Sequence, residues 1–164
     1  MKLVALAASF IGLLFFSSLS ALEREDMQVI DLSADARTLL GGERIILLII
    51  TRSSCPYCNA LMKTVMLPLA KSGAWDARVI LRELELDVSP EIIDFAGKPV
   101  DATAFAERYG HPFTPSILFL DRCGREVGLR HNGYDGSDFF EFYLDKSVKQ
   151  ARNWLVAHPP ECSS

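Results

Sequence analysis

Cys55 and Cys58 stand three positions apart in Cys55-Pro56-Tyr57-Cys58, a spacing that lets two sulfurs make and break a bond with each other. Residues three apart on a helix share a face, and their Cα separation suits the narrow geometry of a disulfide. Pro56 fits the first helical position, where its missing N–H costs nothing. Cys55 then lies at the helix N-terminus, where free backbone N–H groups and the helix dipole stabilise a thiolate. Cys58, one turn in, is expected to be buried and to act as the resolving thiol, and Arg52 adds positive charge nearby. The other chemistry open to such a pair is half of a zinc site, which needs two more ligands at matching spacing. Cys123 and Cys162 are far off and isolated, and the three histidines form no cluster. Redox chemistry is therefore expected, with no metal and no cofactor. The chain carries no phosphate loop, no paired catalytic carboxylates and no Ser–His arrangement. His111 reads as a solvated loop residue, and Met62 and Met66 as core fillers.

The elements that must hold this pair can be read from hydrophobic patterning. Arg44 to Thr51 contains six apolar residues without alternation, Ile45 to Ile50. Such a run suits a strand covered on both faces, central in a sheet flanked by helices. It delivers the chain directly to Cys55. From Pro56 to about Ser72, Leu61, Met62, Val65, Met66 and Leu69 fall on one helical stripe, which Pro68 should kink or break near Leu67. Upstream, Met27 to Leu32 reads as a short first strand and Ser33 to Leu40 as a small helix, with Ser33 as its N-cap and Gly41-Gly42 as its stop. Downstream, Val79 to Asp87 alternates as a further strand. Ser89 to Phe113 is an irregular connection with a short helix over Ala102 to Tyr109. Ser116 to Leu120 and Glu126 to His131 form a hairpin about the turn Asp121-Arg122-Cys123-Gly124. Ser137 to Ala157 is an amphipathic closing helix stopped by Pro159-Pro160. This order predicts an α/β domain, a mixed central sheet of four to five strands with helices on both faces.

The 164 residues allow one domain behind a leader. Lys2 precedes the uncharged stretch Leu3 to Phe16 and a small-residue exit, Ser17 to Ala21, the pattern of a secretory signal peptide. Cleavage is expected between Ser20 and Ala21, leaving 21–164 as the domain. An uncleaved N-terminal anchor is the alternative, since Leu3 to Leu22 is long enough to span a bilayer. Cleavage moves the net charge from −4 to −5, because Lys2 leaves and no acid does. A mildly acidic surface argues against nucleic acid or anionic lipid as partners. All four cysteines lie in the exported part, and an oxidising compartment makes disulfide chemistry their default.

The stretch from Thr51 to Cys58 resembles the active-site loop of the thioredoxin superfamily, and its inner Pro-Tyr matches many glutaredoxins. Phe113-Thr114-Pro115-Ser116 is similar to the second signature of that superfamily, a Thr-Pro pair opening a strand. Gly133-Tyr134 followed by Phe139 and Phe142 resembles the end of the last strand and the closing helix of periplasmic thioredoxin-like proteins. The export signal, Cys-Pro-Tyr-Cys and Gly-Tyr together are similar to the thioredoxin-like proteins of bacterial sulfur-oxidation clusters. The resemblance covers about residues 27–157 and implies the thioredoxin fold. It also implies a cis Thr114–Pro115 bond facing the cysteines, with Pro56, Tyr57, Thr114 and Pro115 contacting an extended substrate. The implied activity is thiol–disulfide exchange with exported protein disulfides or thiols, as a reductase and as a monomer. A separate recycling partner is needed, with a membrane protein among the candidates. A disulfide-donating oxidase and a binding protein or redox sensor without turnover are the alternatives. Two departures stand out. Ile49 occupies the position where thioredoxins bury an acid, and Ser54 stands where they carry a Trp.

Within the implied fold the turn holding Cys123 lies at the pole opposite Cys55. The closing helix, about 21 residues or roughly 30 Å long, returns the chain there, within reach for Cys162. A Cys123–Cys162 disulfide is therefore expected, with two free thiols or an intermolecular cross-link as alternatives.

Overall fold

The apolar run becomes β1 (Ile45–Thr51), and all seven of its residues are buried. The computed structural model describes residues 22–39, 44–110 and 113–162. The expected signal peptide over 1–20, its anchor alternative, the Gly41-Gly42 stop and His111 lie outside them. In chain order the elements before β1 are a 3-10 turn (Arg24–Met27) and α1 (Leu32–Thr38). After β1 come α2 (Pro56–Leu61), a π-helical turn (Met62–Met66), α3 (Leu67–Ser72) and β2 (Val79–Glu85). Then follow β3 (Glu91–Ile93), β4 (Pro99–Asp101), α4 (Ala102–Glu107), β5 (Ser116–Leu120), β6 (His131–Asn132) and α5 (Phe140–Ala157).

The central sheet runs β2-β1-β5-β6. β1 is parallel to β2 and antiparallel to β5, so the sheet is mixed. Ile45, Leu47 and Ile49 pack on one face with Leu61, Met62 and Met66, and with Leu144, Val148 and Ala151 of α5. Ile46, Leu48 and Ile50 pack on the other with Leu32 of α1 and Phe105 and Ala106 of α4. Burying each such side chain contributes roughly 2 kcal/mol, which outweighs the helix preference of the two leucines, a few tenths of a kcal/mol. The position between two helical layers makes this segment a strand.

The helix after the cysteines is irregular where Pro68 predicts. At the π turn the Leu67 N–H donates to the Met62 carbonyl, five residues back, and Pro68 follows at the start of α3. The widened turn falls where proline can supply no α-helical donor. Gly73, at φ +65°, ends the helix in the left-handed conformation.

Four expectations need correcting. Met27 to Leu32 is not a strand. It contributes single bridges, Gln28 to Glu83 and Asp31 to Ile93, because it passes from the central sheet to a separate two-stranded one. The N-cap of α1 is Asp31, not Ser33; the Asp31 carboxylate accepts from the Ala34 N–H at 2.8 Å and from the Ser33 hydroxyl at 2.6 Å. The connection after β2 contains the antiparallel pair β3–β4, whose tight turn is organised by Asp94 accepting from the N–H groups of Ala96 and Lys98. The hairpin partner of β5 is interrupted: Glu126 bridges Leu120 at the turn end and His131–Asn132 pair with Ile117 and Ser116 at the other.

The turn between those ends requires glycine at one place. Gly124 sits at φ +77°, and an added Cβ there would lie 2.5 Å from the Phe95 ring. Asp121, fully buried, accepts from the N–H groups of Cys123 and Arg125. Cys123 is bonded to Cys162 across a Cα separation of 5.2 Å, and Arg122 donates to the Pro160 carbonyl at 2.6 Å. The C-terminal segment is thus fastened to the turn by two ties.

Candidate active site

β1 ends at Thr51, and a short loop then carries the chain into α2 with Cys55 as its N-cap. Cys55 is in extended conformation, and its sulfur accepts from the Cys58 N–H at 3.2 Å. Pro56 occupies the first helical turn, where no donor is lost. Cys58 is fully buried while Cys55 is partly exposed. The two are joined as a disulfide with Cα atoms 5.2 Å apart. Tyr57, between them, is 64% exposed and free to meet another molecule.

Facing this pair, the Thr114–Pro115 peptide bond is cis. The Thr114 carbonyl oxygen lies 3.6 Å from the Cys55 sulfur. Cys55, Cys58, Tyr57, Thr114 and Pro115 are therefore brought together at one end of the sheet. Cys123 and Cys162 are not among them; they sit at the far end of β5. Among the described residues no group of three or more His, Cys, Asp or Glu is arranged to hold a metal ion, and no helix is long and apolar enough to cross a membrane.

A set of polar residues that sequence reasoning missed surrounds the loop. Glu83 pairs in register with Ile49, so a carboxylate stands one strand away from the apolar position where an acid would have been expected. It is fully buried. Its oxygens accept from Arg24 Nε at 2.7 Å and Nη2 at 2.5 Å, from Gln28 Nε2 at 3.0 Å and from the Thr51 hydroxyl at 2.6 Å. That carboxylate holds the Arg24 guanidinium above its ordinary pKa. Arg24 Nη1 also donates to the Asn59 side chain at 3.0 Å, and Asn59 donates to the Ser53 carbonyl at 3.1 Å. Asp87 accepts from the Ser53 hydroxyl at 2.6 Å and from its N–H at 2.9 Å, bonds that hold its carboxyl below the usual range. The chain Glu83–Arg24–Asn59–Ser53–Asp87 braces the loop before Cys55. Only Asp87, closing an alternating strand, gave any local sign of it.

Removing one partner of a buried ion pair strands the other charge. Arg24→Ala, which leaves Glu83 only neutral donors, should cost about 3 kcal/mol. Glu83→Gln should cost less, since the partly exposed Arg24 head regains water. Chemical denaturation of both variants checks the order.

Beside Pro115 a groove of about 880 Å³ opens between β6 and α5. His131 closes its inner side, donating to or accepting from the Ser147 hydroxyl at 2.8 Å, between the rings of Phe119 and Phe140. Burial pushes its pKa below the ordinary value. The folded state therefore disfavours the imidazolium. Its contribution to stability is complete above the unfolded pKa of about 6.5 and falls as the pH drops from there toward the folded value. His131→Gln should flatten that segment of the stability–pH curve, as read by thermal unfolding between neutral and mildly acidic pH.

A family described as a thioredoxin-like domain matches residues 32–147. Among solved structures, a thioredoxin of Malassezia sympodialis is 17% identical, with a TM-score of 0.50 over 77% of this chain and 90% of that one. A thioredoxin-fold protein from Helicobacter pylori is also 17% identical, at TM-score 0.50 over 84% of this chain and 94% of that one. A periplasmic thioredoxin from Paracoccus pantotrophus, in its reduced form, is 26% identical, with a TM-score of 0.43 over 66% of this chain and 99% of that one. No curated protein matches the chain. The first two structures share the fold described above.

Proposed function

We infer the function of this chain from the family it belongs to, the thioredoxin-like domain family, and from the disulfide that this domain carries: it is a thiol–disulfide oxidoreductase that acts as a reductase of exported proteins. The observation that carries this reading is the pair Cys55–Cys58, with the outer sulfur at a helix start and 3.6 Å from the Thr114 carbonyl.

The cycle begins from the dithiol. The Cys55 thiolate attacks one sulfur of a client disulfide; that S–S bond breaks, a mixed disulfide forms, and the departing client sulfur takes up a proton. Cys58, deprotonated in its turn, attacks the Cys55 sulfur and releases the second client thiol. Two electrons have passed to the client, and the protein is left with the Cys55–Cys58 bond. A recycling dithiol of lower potential returns it to the start. The helix N-terminus favours the thiolate on Cys55, and the Thr114 backbone offers hydrogen bonds to an extended client. Residues 1–20 serve as the signal peptide, cleaved before Ala21, and the mature protein works as a monomer in the periplasm or another exported compartment.

The test is catalytic acceleration of insulin reduction by a small thiol. Its absence would leave a binding protein without turnover. The Cys55–Cys58 potential then decides direction. A value near the thioredoxin figure of about −270 mV supports the reductase, and one near about −120 mV, that of a strong oxidant, overturns it.

A further inference from the structure

The groove beside Pro115 extends beyond the Tyr57, Thr114 and Pro115 surface just described, and its further walls define what it can hold. One wall is β6, the outermost strand of the sheet. The Gly133 N–H donates to the Pro115 carbonyl at 2.7 Å, so Gly133 turns its backbone groups toward β5. By the two-residue alternation of a ladder, Asn132 turns its N–H and C=O the other way, away from the sheet. The opposite wall is α5, with Tyr143 and Lys146. Leu129 and Tyr143 are 83% and 55% exposed, two large apolar side chains on one groove that no other described residue covers. Lys146 lines the same groove and makes no ion pair among the described residues. The groove is continuous with Tyr57, Thr114 and Pro115, so a chain bound at Cys55 can run straight into it.

We propose that this groove takes an extended segment of the client polypeptide as an added strand on β6, with a bulky apolar side chain against Leu129 and Tyr143 and an acidic side chain paired with Lys146. The inference rests on the redox reading above and adds a sequence preference to it. Backbone bonds to Asn132 supply affinity for any extended chain, and the two side-chain contacts supply selectivity. An extended chain advances about 3.3 Å per residue, so both preferred side chains belong to the segment that continues from the target cysteine.

Two measurements separate this proposal from its premise. Fluorescently labelled peptides with serine in place of the target cysteine report binding alone, by anisotropy. A Phe/Glu-flanked peptide is expected to bind at least about tenfold more tightly than a Ser/Ser-flanked one. Leu129→Ser with Tyr143→Ser should abolish that difference. Lys146→Glu should reverse the preference between Glu- and Lys-bearing peptides, a reversal that misfolding cannot produce. Turnover of a small symmetric disulfide, such as dithiobis-nitrobenzoate, reports the redox centre alone. Selective binding without turnover keeps the groove and removes the redox reading. Turnover with equal binding of all peptides overturns the groove and leaves the redox reading. Dimerisation through β6 in sedimentation, lost in the Leu129 and Tyr143 variants, would assign the groove to a second copy and also overturn the proposal.

Discussion

Cys55→Ser is expected to bring disulfide exchange down to background, and Cys58→Ser to stop it one step later with the client still attached. The difference comes from geometry. Cys55 is the partly exposed sulfur at the start of α2, and Cys58 is fully buried one turn in. A client disulfide can reach only the outer one. Without Cys55 no mixed disulfide forms; without Cys58 it forms and has no resolving thiol. Non-reducing gels of extracts exposed to each variant should show client adducts with Cys58→Ser and none with Cys55→Ser. Equal trapping by both would reverse or remove these roles. In the reduced protein Cys55 should also titrate below the free-thiol value of about 8.5, as alkylation rate against pH would record.

The second large effect is on stability and leaves the first site alone. Cys123 and Cys162 close a loop of sequence separation 39, and constraining the unfolded chain to that extent corresponds to about 4 kcal/mol. Replacing both by serine should lower the melting temperature by on the order of 10 °C for a domain of this size. The Arg122–Pro160 bond remains and limits fraying of the tail. Exchange through Cys55 should be unchanged, since the turn lies at the opposite end of β5. A loss below about 1 kcal/mol in denaturant titration would overturn the loop-closure account.

Parts of the molecule were legible because they answer to local rules. The unbroken Ile45 to Ile50 run implies burial on both faces, and β1 has it. Proline after the first cysteine implies a helix start, and α2 begins there. Pro68 forecasts irregularity, and the π turn supplies it. The remainder depended on pairs far apart in the chain. Nothing near Arg24 announces that it will meet Glu83, 59 residues on. Gln28 and Asp31 look like one strand until their partners turn out to be in two different sheets. The β3–β4 pair did leave a sign, Asp94-Phe95-Ala96-Gly97, but its strands of three residues are too short for alternation to register. Asp31 at the start of α1 offers the same cap chemistry as Ser33, and only the backbone conformation chooses between them.

The seven-residue burial of β1 has a consequence for the chain before it folds. Its neighbours in the sheet, Val79 to Glu85 and Ser116 to Leu120, both come later in sequence, so during synthesis this strand appears before either strand that pairs with it. Six consecutive apolar residues with no charge and no proline are the composition of an aggregation-prone segment. Glu43 stands before it, and Arg44 and Arg52, one on each side, are the positive charges that discourage self-association. Making either neutral should leave the folded protein nearly as stable, yet lower the soluble yield on dilution from denaturant.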